Sequence, residues 1–200
     1  MECRDDHDGD FMDEMNWPNK KYNVIYADPP WAYNNFSSGK AKGSTIYGSA
    51  AHHYTCLSPE QIKAIPVDNI AAKDCWLFLW ATYPNLPIAL DVMQAWGFIY
   101  KTVAFTWVKT RGKSWYSGLG FYTNGNAEVV LLGTRGRMKR VVKNVKQLCI
   151  APLSRHSEKP DEIRERVTTL CGDVSRIELF ARKRVNGWDA WGNEVGGSDS

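Results

Sequence analysis

Seven consecutive residues, Cys75 to Ala81 (CWLFLWA), are apolar. In a β-strand successive side chains point to opposite faces. A strand that is apolar on every residue therefore needs cover on both sides, which is the situation of a central strand in an α/β sheet. The run is far too short to span a bilayer, which takes about 20 apolar residues. Other segments repeat the pattern. Tyr22 to Ala27 (YNVIYA) reads as a short buried strand, Ile99 to Val108 and Glu128 to Gly133 as two more, and Arg176 to Ala181 (RIELFA) as a final one.

Helix signals fall between them. Ser58-Pro59-Glu60-Gln61 carries a cap, a proline at the first helical position and a capping-box glutamine. Leu86 to Trp96 is expected to be helical, with Gly97 as its stop. Pro160-Asp161-Glu162 opens a helix to about Leu170, ended by Gly172. Alternating strands and helices predict a mostly parallel α/β sheet with helices on both faces. Two hundred residues, 44% of them hydrophobic, suit one domain spanning 1–200, with loose ends at about 1–15 and 195–200.

The five cysteines form no C-x-x-C pair and are odd in number, which argues against a zinc site or a disulfide framework. No metal is expected. The N-terminus (MECRDDHDGD) is acidic and polar, unlike a signal peptide. A reducing cytoplasm fits. Net charge is only +3, but the cations cluster: Lys109, Arg111 and Lys113, then Arg135, Arg137, Lys139, Arg140, Lys143 and Lys146. Either cluster suits a phosphate backbone, and either suits a solvated loop equally well.

In an open α/β sheet, ligands bind beyond the carboxyl ends of the strands. At the end of the first strand stands Asp28-Pro29-Pro30-Trp31. The prolines stiffen the loop and offer no N–H, so their carbonyls are expected to stay clear of a local turn. Asp28 adds a second acceptor and Trp31 a flat apolar surface. Two acceptors beside an aromatic plane suit a planar group bearing an NH₂, such as adenine. Hydrogen bonds from both N–H groups, to Asp28 and the Pro29 carbonyl, favour a pyramidal nitrogen with a usable lone pair. A proline-rich turn with Trp31 packed on the core fits these residue types as well.

Further segments extend the pattern: LFLWAT (Leu77 to Thr82), WVKT (Trp107 to Thr110), NAEVVLLGTRG (Asn126 to Gly136), RHSEKPDEI (Arg155 to Ile163), IELFAR (Ile177 to Arg182) and GWDAWGNE (Gly187 to Glu194). In this order the set resembles the MT-A70 family of adenine N6-methyltransferases, most closely its compact bacterial and phage branch. The resemblance covers about Asp10 to Glu194. It implies a Rossmann-like methyltransferase fold with permuted motifs, the catalytic motif first and the cofactor strand last. It implies S-adenosylmethionine as cofactor and adenine in nucleic acid as substrate, DNA in preference to RNA, with a homodimer or a partner subunit possible in the family.

By the same resemblance, Asp28, Pro29, Pro30 and Trp31 hold the target base, and Asp28 also meets the cofactor. Lys159 matches a lysine near the cofactor, Arg182 an arginine facing the ribose, and Asn193 and Glu194 polar residues that bind ribose hydroxyls. Asp10 and Phe11 match positions that contact the cofactor's adenine. Lys109, Arg111, Lys113, Arg135 and Arg137 are the nucleic-acid candidates. The loops Phe36 to Tyr54 and Arg111 to Asn124 are long enough to grip a strand. Asn124 stands where bacterial relatives often carry arginine. His156 is assigned only loop support. Rival readings are methylation of RNA, a non-catalytic scaffold subunit, and methylation of the cytosine amine.

Overall fold

The computed structural model describes residues 17–31, 56–118, 120, 122–154 and 158–195. Eight strands form one sheet: β1 (Tyr22–Ala27), β2 (Ala71–Ala81), β3 (Ile99–Arg111), β4 (Ser114–Trp115), β5 (Ala127–Arg135), β6 (Leu148–Pro152), β7 (Arg176–Leu179) and β8 (Asp189–Trp191). Their order is β4-β3-β5-β2-β1-β7-β8, with β6 also paired to β3. The α-helices among the described residues are α1 (Pro59–Ala64), α2 (Leu86–Ala95) and α3 (Asp161–Cys171). None of them is long and apolar enough to cross a membrane.

The continuously apolar run does what its composition demands. Cys75, Leu77, Leu79 and Ala81 of β2 face one core layer, with Ile62 of α1 and Ala89, Val92 and Met93 of α2. Trp76, Phe78 and Trp80 face the other, with Ile163, Val167 and Cys171 of α3. Burying one such large side chain stabilises by about 1.5–3 kcal/mol. The buried indoles keep their N–H groups satisfied. Trp80 donates to the Tyr26 hydroxyl at 2.6 Å, and Trp107 to the Ala151 carbonyl at 3.0 Å.

The α/β class with helices on both faces is found, and the sheet is mixed. β1 runs parallel to β2 and β7, β7 to β8, and β3 to β6. β5 lies antiparallel between β2 and β3. The reason is the connection: residues 112–126, which join β3 to β5, turn straight back as β4 on β3 and contain no helix among the described residues. A hairpin-like return of that kind gives an antiparallel neighbour, whereas a parallel one is usually reached through a helix that crosses the sheet.

Local signals set most element ends. The capping box of α1 is formed in both directions, with Gln61 N–H on the Ser58 hydroxyl and Ser58 N–H on the Gln61 side chain. α3 stops at Gly172, whose φ of 75° favours glycine. The last expected strand ends earlier than its apolar run: Phe180 adopts φ 60° and turns the chain after Leu179.

Two consequences position the site. The chain leaves β1 for β2 on one side and later returns to β7 on the other. The crevice beyond the carboxyl end of β1 is thus the point where strand order reverses, the usual ligand position in such sheets.

Candidate active site

Asp28 stands at that crevice. Ala27 pairs with Leu79 of β2 and Leu179 of β7, so the next residue leaves the sheet between two parallel neighbours. The loop that follows is pinned. Trp31 N–H donates to the Pro29 carbonyl at 2.8 Å, and Leu57 N–H to the Pro30 carbonyl at 3.1 Å. The expectation that the carbonyls stay clear of a local turn is therefore overturned for Pro29, whereas the Pro30 carbonyl is engaged only by a residue distant in the chain. Each carbonyl oxygen still has a second lone pair.

Trp31 also departs from expectation. It is 7% exposed, lies in the core with Leu57 and Leu79, and its indole N–H donates to the Trp80 carbonyl at 3.1 Å. It anchors the loop to β2, and it presents no open face for a base to stack on. An aromatic surrounded by apolar neighbours with its N–H satisfied gains more from packing than from waiting for a ligand.

Lys159, two residues before α3, reaches back to Asp28 with its Nζ 2.8 Å from Oδ2. The same Nζ is 3.4 Å from Oε2 of Glu128, the second residue of β5. The other oxygen of Glu128 bonds Lys109 of β3. Two carboxylates and two ammonium groups thus form one chain of charges. Aromatic rings floor it: Lys159 lies 5.2 Å from the Trp80 ring centre and Lys109 5.1 Å from that of Trp107. Lys159 is therefore no solvated helix-start residue, and Lys109 is tied to Glu128 before it can meet a phosphate.

The four charges are not equivalent. Burial pushes the Asp28 carboxyl above its ordinary pKa, and Lys159 only partly opposes it. Burial acts on Glu128 too, but Lys159 and Lys109 together more than reverse it and hold that carboxyl low. Burial would lower the Lys159 ammonium; Asp28 and Glu128 override it and keep the pKa raised. Glu128 is thus the firm anion, Lys159 the firm cation, and Asp28 the carboxylate with the stronger pull on a proton. Glu128 was missed by sequence reasoning. Its signal was a carboxylate abutting an apolar strand, as in Asp28 after VIYA.

The remaining cofactor candidates lie on the next strands. Leu179 of β7 pairs with Trp191 of β8, and both strands end at the Asp28 side of the sheet. Arg182 Nε is 3.8 Å from Glu194 Oε1, and Asn193 lies beside it in the chain. The Arg182 charge is close enough to act on Asp28. Gly192 makes the approach possible: a Cβ there would fall 2.4 Å from the Ala181 carbonyl oxygen and 2.6 Å from its nitrogen. Lys183, of the same basic run, pairs with Glu158 and Asp161 at 3.0 Å each, fastening β7 to the start of α3. Asp10, Phe11, His156 and the loop from Phe36 to Tyr54 lie outside the described residues.

The nucleic-acid candidates separate. Arg111 and Lys113 sit exposed at the β3–β4 turn, at the Asp28 end, with Arg111 5.5 Å from the Tyr116 ring centre. Arg135 pairs with Cys75 in the sheet, at the opposite end, and its guanidinium is held by Asp68. Arg137 follows there, its N–H donating to Asp74 at 2.6 Å. Those two arginines stand about 16 Å from the Asp28 level, counted along β2 at ~3.3 Å per residue. They are not part of the crevice.

The MT-A70 family model matches residues 22–194. The chain is 37% identical over 190 residues to the Type II methyltransferase M.MunI of a Mycoplasma species, covering 89% of this chain and 79% of that protein. It is 28% identical over 192 residues to the human N(6)-adenine-specific methyltransferase METTL4, with 88% and 38% covered. It is 27% identical over 186 residues to the N6-methyladenosine RNA methyltransferase MTA1 of Pyricularia oryzae, with 87% and 47% covered. The chain thus spans less than half of the two eukaryotic relatives and most of the mycoplasmal one. Since the matched span runs from the strand that carries Asp28 to the loop that carries Glu194, the chain belongs to the MT-A70 family of methyltransferases.

Proposed function

We propose that this chain transfers a methyl group from S-adenosylmethionine to the exocyclic N6 amine of adenine in DNA. The observation that carries the reading is Asp28: a carboxylate at the strand-order switch, fixed by Lys159, with Arg182, Asn193 and Glu194 on the adjoining strand ends.

The donor set fits the cofactor. Its ammonium needs a carboxylate and its ribose diol needs acceptors. Asp28, 25% exposed at its side chain, serves the first, and Asn193 and Glu194 serve the second. When bound, the cofactor supplies an electrophilic methyl. The chain's own groups do the rest. Asp28 and the free lone pair of the Pro29 carbonyl accept the two N–H bonds of the adenine amine. That loosens the nitrogen lone pair from the ring and aims it. A carboxylate with raised proton affinity is a better acceptor for this weakly acidic donor. Lys159 holds Asp28 in one orientation and keeps it ionised. A nitrogen held this way would be ready to accept the methyl that the bound cofactor would supply, and its displaced proton would pass to solvent. Positioning and preorganised charge supply the catalysis. The target base must leave its stack to reach Asp28.

DNA is favoured over RNA because the mycoplasmal relative, most of whose length this chain covers, is not among those whose names specify RNA. The test is methyl transfer from labelled cofactor by the purified chain, offered single-stranded DNA, duplex DNA and RNA, with nucleoside analysis of the product. The expected product is N6-methyladenine in DNA. Asp28→Asn should lower the rate by about 100-fold or more while the protein stays folded. Methyladenine in RNA alone, methylated cytosine, or cofactor binding without any transfer would each overturn the assignment.

A further inference from the structure

The connection from β5 to β6, residues 136–147, has the sequence GRMKRVVKNVKQ. It holds five cations (Arg137, Lys139, Arg140, Lys143 and Lys146) and no acidic residue. All five are exposed, and none makes an ion pair among the described residues. The cations around them are neutralised: Arg135 by Asp68, Arg166 by Glu162, Arg164 by Glu178.

The backbone of this ribbon is held firmly. Met138 and Val145 pack into the core layer beneath α3. Val141 N–H donates to the Leu170 carbonyl at 2.9 Å. Arg166 donates to the carbonyls of Lys146 and Leu148 at 2.8 Å each. Met138 and Val145 thus face in while the cations stand in water, at positions the fold dictates.

The course of the ribbon gives those positions a direction. It begins after Arg135, level with Cys75 at the far end of the sheet. It ends at Leu148, which pairs with Thr106, level in turn with Val129 and Ala81. Ala81 lies at the Asp28 end. The ribbon therefore climbs the α3 side of the sheet over six residues of β2, about 20 Å at ~3.3 Å per residue. Partway along, Lys139 and Arg140 border a cleft of about 530 Å³ whose other lining residues include Trp76, Leu132 and Leu170.

We propose that this ribbon is a phosphodiester track, which holds the backbone of the nucleic-acid substrate along the α3 side while one base is presented at Asp28. This rests on the nucleic-acid reading above. A single small anion needs convergent donors, and these cations are strung out. A repeating anion is what they match: one strand of B-form duplex passes roughly six phosphates in 20 Å. The cleft beside Lys139 and Arg140 gives a sugar or an unstacked base an apolar seat next to its phosphate. The track adds affinity without reading sequence.

The test is the quadruple variant Lys139→Gln, Arg140→Gln, Lys143→Gln and Lys146→Gln, compared with wild type. Binding of a fluorescent oligonucleotide is measured across salt concentrations, with KM for DNA, cofactor affinity and thermal midpoint alongside. The slope of log Kd against log salt should become shallower by about 3, at roughly 0.7–0.9 per cation removed. KM for DNA should rise at least tenfold, with cofactor affinity and thermal midpoint unchanged. An active wild type and a variant with the same slope and KM overturn the track alone. A wild type that neither binds nor methylates any nucleic acid overturns the functional reading and the track with it. Loss of polyglutamate binding with unchanged oligonucleotide affinity assigns the ribbon to an acidic protein and overturns the proposal.

Discussion

Glu128→Gln isolates the charge chain around Asp28. The substitution keeps the shape of the side chain and one acceptor oxygen while removing the charge that both lysines share. Glu128 and Lys159 are 12% and 13% exposed at their side chains, so water replaces little of what is lost. A hydrogen bond to a charged group contributes about 1.5–3 kcal/mol. The two lysines bond different oxygens of Glu128, so the amide abolishes one of these bonds, where its NH₂ faces an ammonium, and weakens the other; the expected loss is about 2–3 kcal/mol at neutral pH. For a chain of this size that lowers the thermal midpoint by roughly 4–12 °C. The pH dependence carries the reasoning. Burial alone would raise the Glu128 carboxyl, but Lys159 and Lys109 hold it below its ordinary value. A group with a depressed folded pKa stabilises fully above its unfolded pKa, about 4.3, and loses that contribution as pH falls through the folded value. Wild type and variant should therefore differ most at neutral pH and converge in strong acid. The assay is calorimetry at neutral and acidic pH. A gap that is the same at both, or absent at neutral pH, would refute the assignment of Glu128 as the firm anion of the site.

The acid limb of the kcat/KM profile should lie above the ordinary aspartate range of about 3.9, because burial raises the Asp28 carboxyl and Lys159 only partly offsets it; a limb below that range would show another group in control. In Glu128→Gln the same limb should shift to lower pH, since the repulsion from Glu128 is gone and Lys159 serves Asp28 alone. Gly192→Ala drives a Cβ into the Ala181 backbone and displaces Asn193 and Glu194. Cofactor affinity measured by titration calorimetry should fall roughly tenfold, about 1.4 kcal/mol, and an unchanged value would remove those residues from the site. Trp31→Phe deletes the bond to the Trp80 carbonyl together with the ring that carries the N–H, while keeping an aromatic side chain in the core. It should cost about 1 kcal/mol in denaturant unfolding, and no change would mean the indole N–H is not an anchor.

What could be read in the chain was local. The run CWLFLWA dictates cover on two faces, because alternation leaves no other solution, and α2 and α3 provide it. Ser58 to Gln61 states a helix start in four residues. The position of Asp28 follows from a strand that ends where the prolines begin. What could not be read depends on partners distant in sequence. Glu128 and Lys109 meet diagonally across the β3–β5 pairing, where Glu128 stands opposite Trp107, and Lys159 reaches Asp28 from 131 residues away. Neither contact leaves a mark on its own segment. The β8 strand is three residues long and exists because β7 offers it an edge. Trp31 illustrates the limit: an aromatic beside a functional carboxylate looks the same on paper whether it faces a ligand or the core.

The central place of β1 has a consequence for how the protein comes into being. Ile25 pairs on one side with Leu77 and on the other with Ile177. The first partner is synthesised soon after β1, and the second only near the far end of the matched region. Contacts between such distant segments carry a large loop-closure cost and form slowly. On the ribosome, Asp28 emerges early and then waits for Lys159, β7 and β8 before any crevice exists around it. Methyl transfer should accordingly be the last property a refolding chain recovers, after its helix signal and its tryptophan burial have returned. The enzyme is kept inert until the rest of its own chain has arrived.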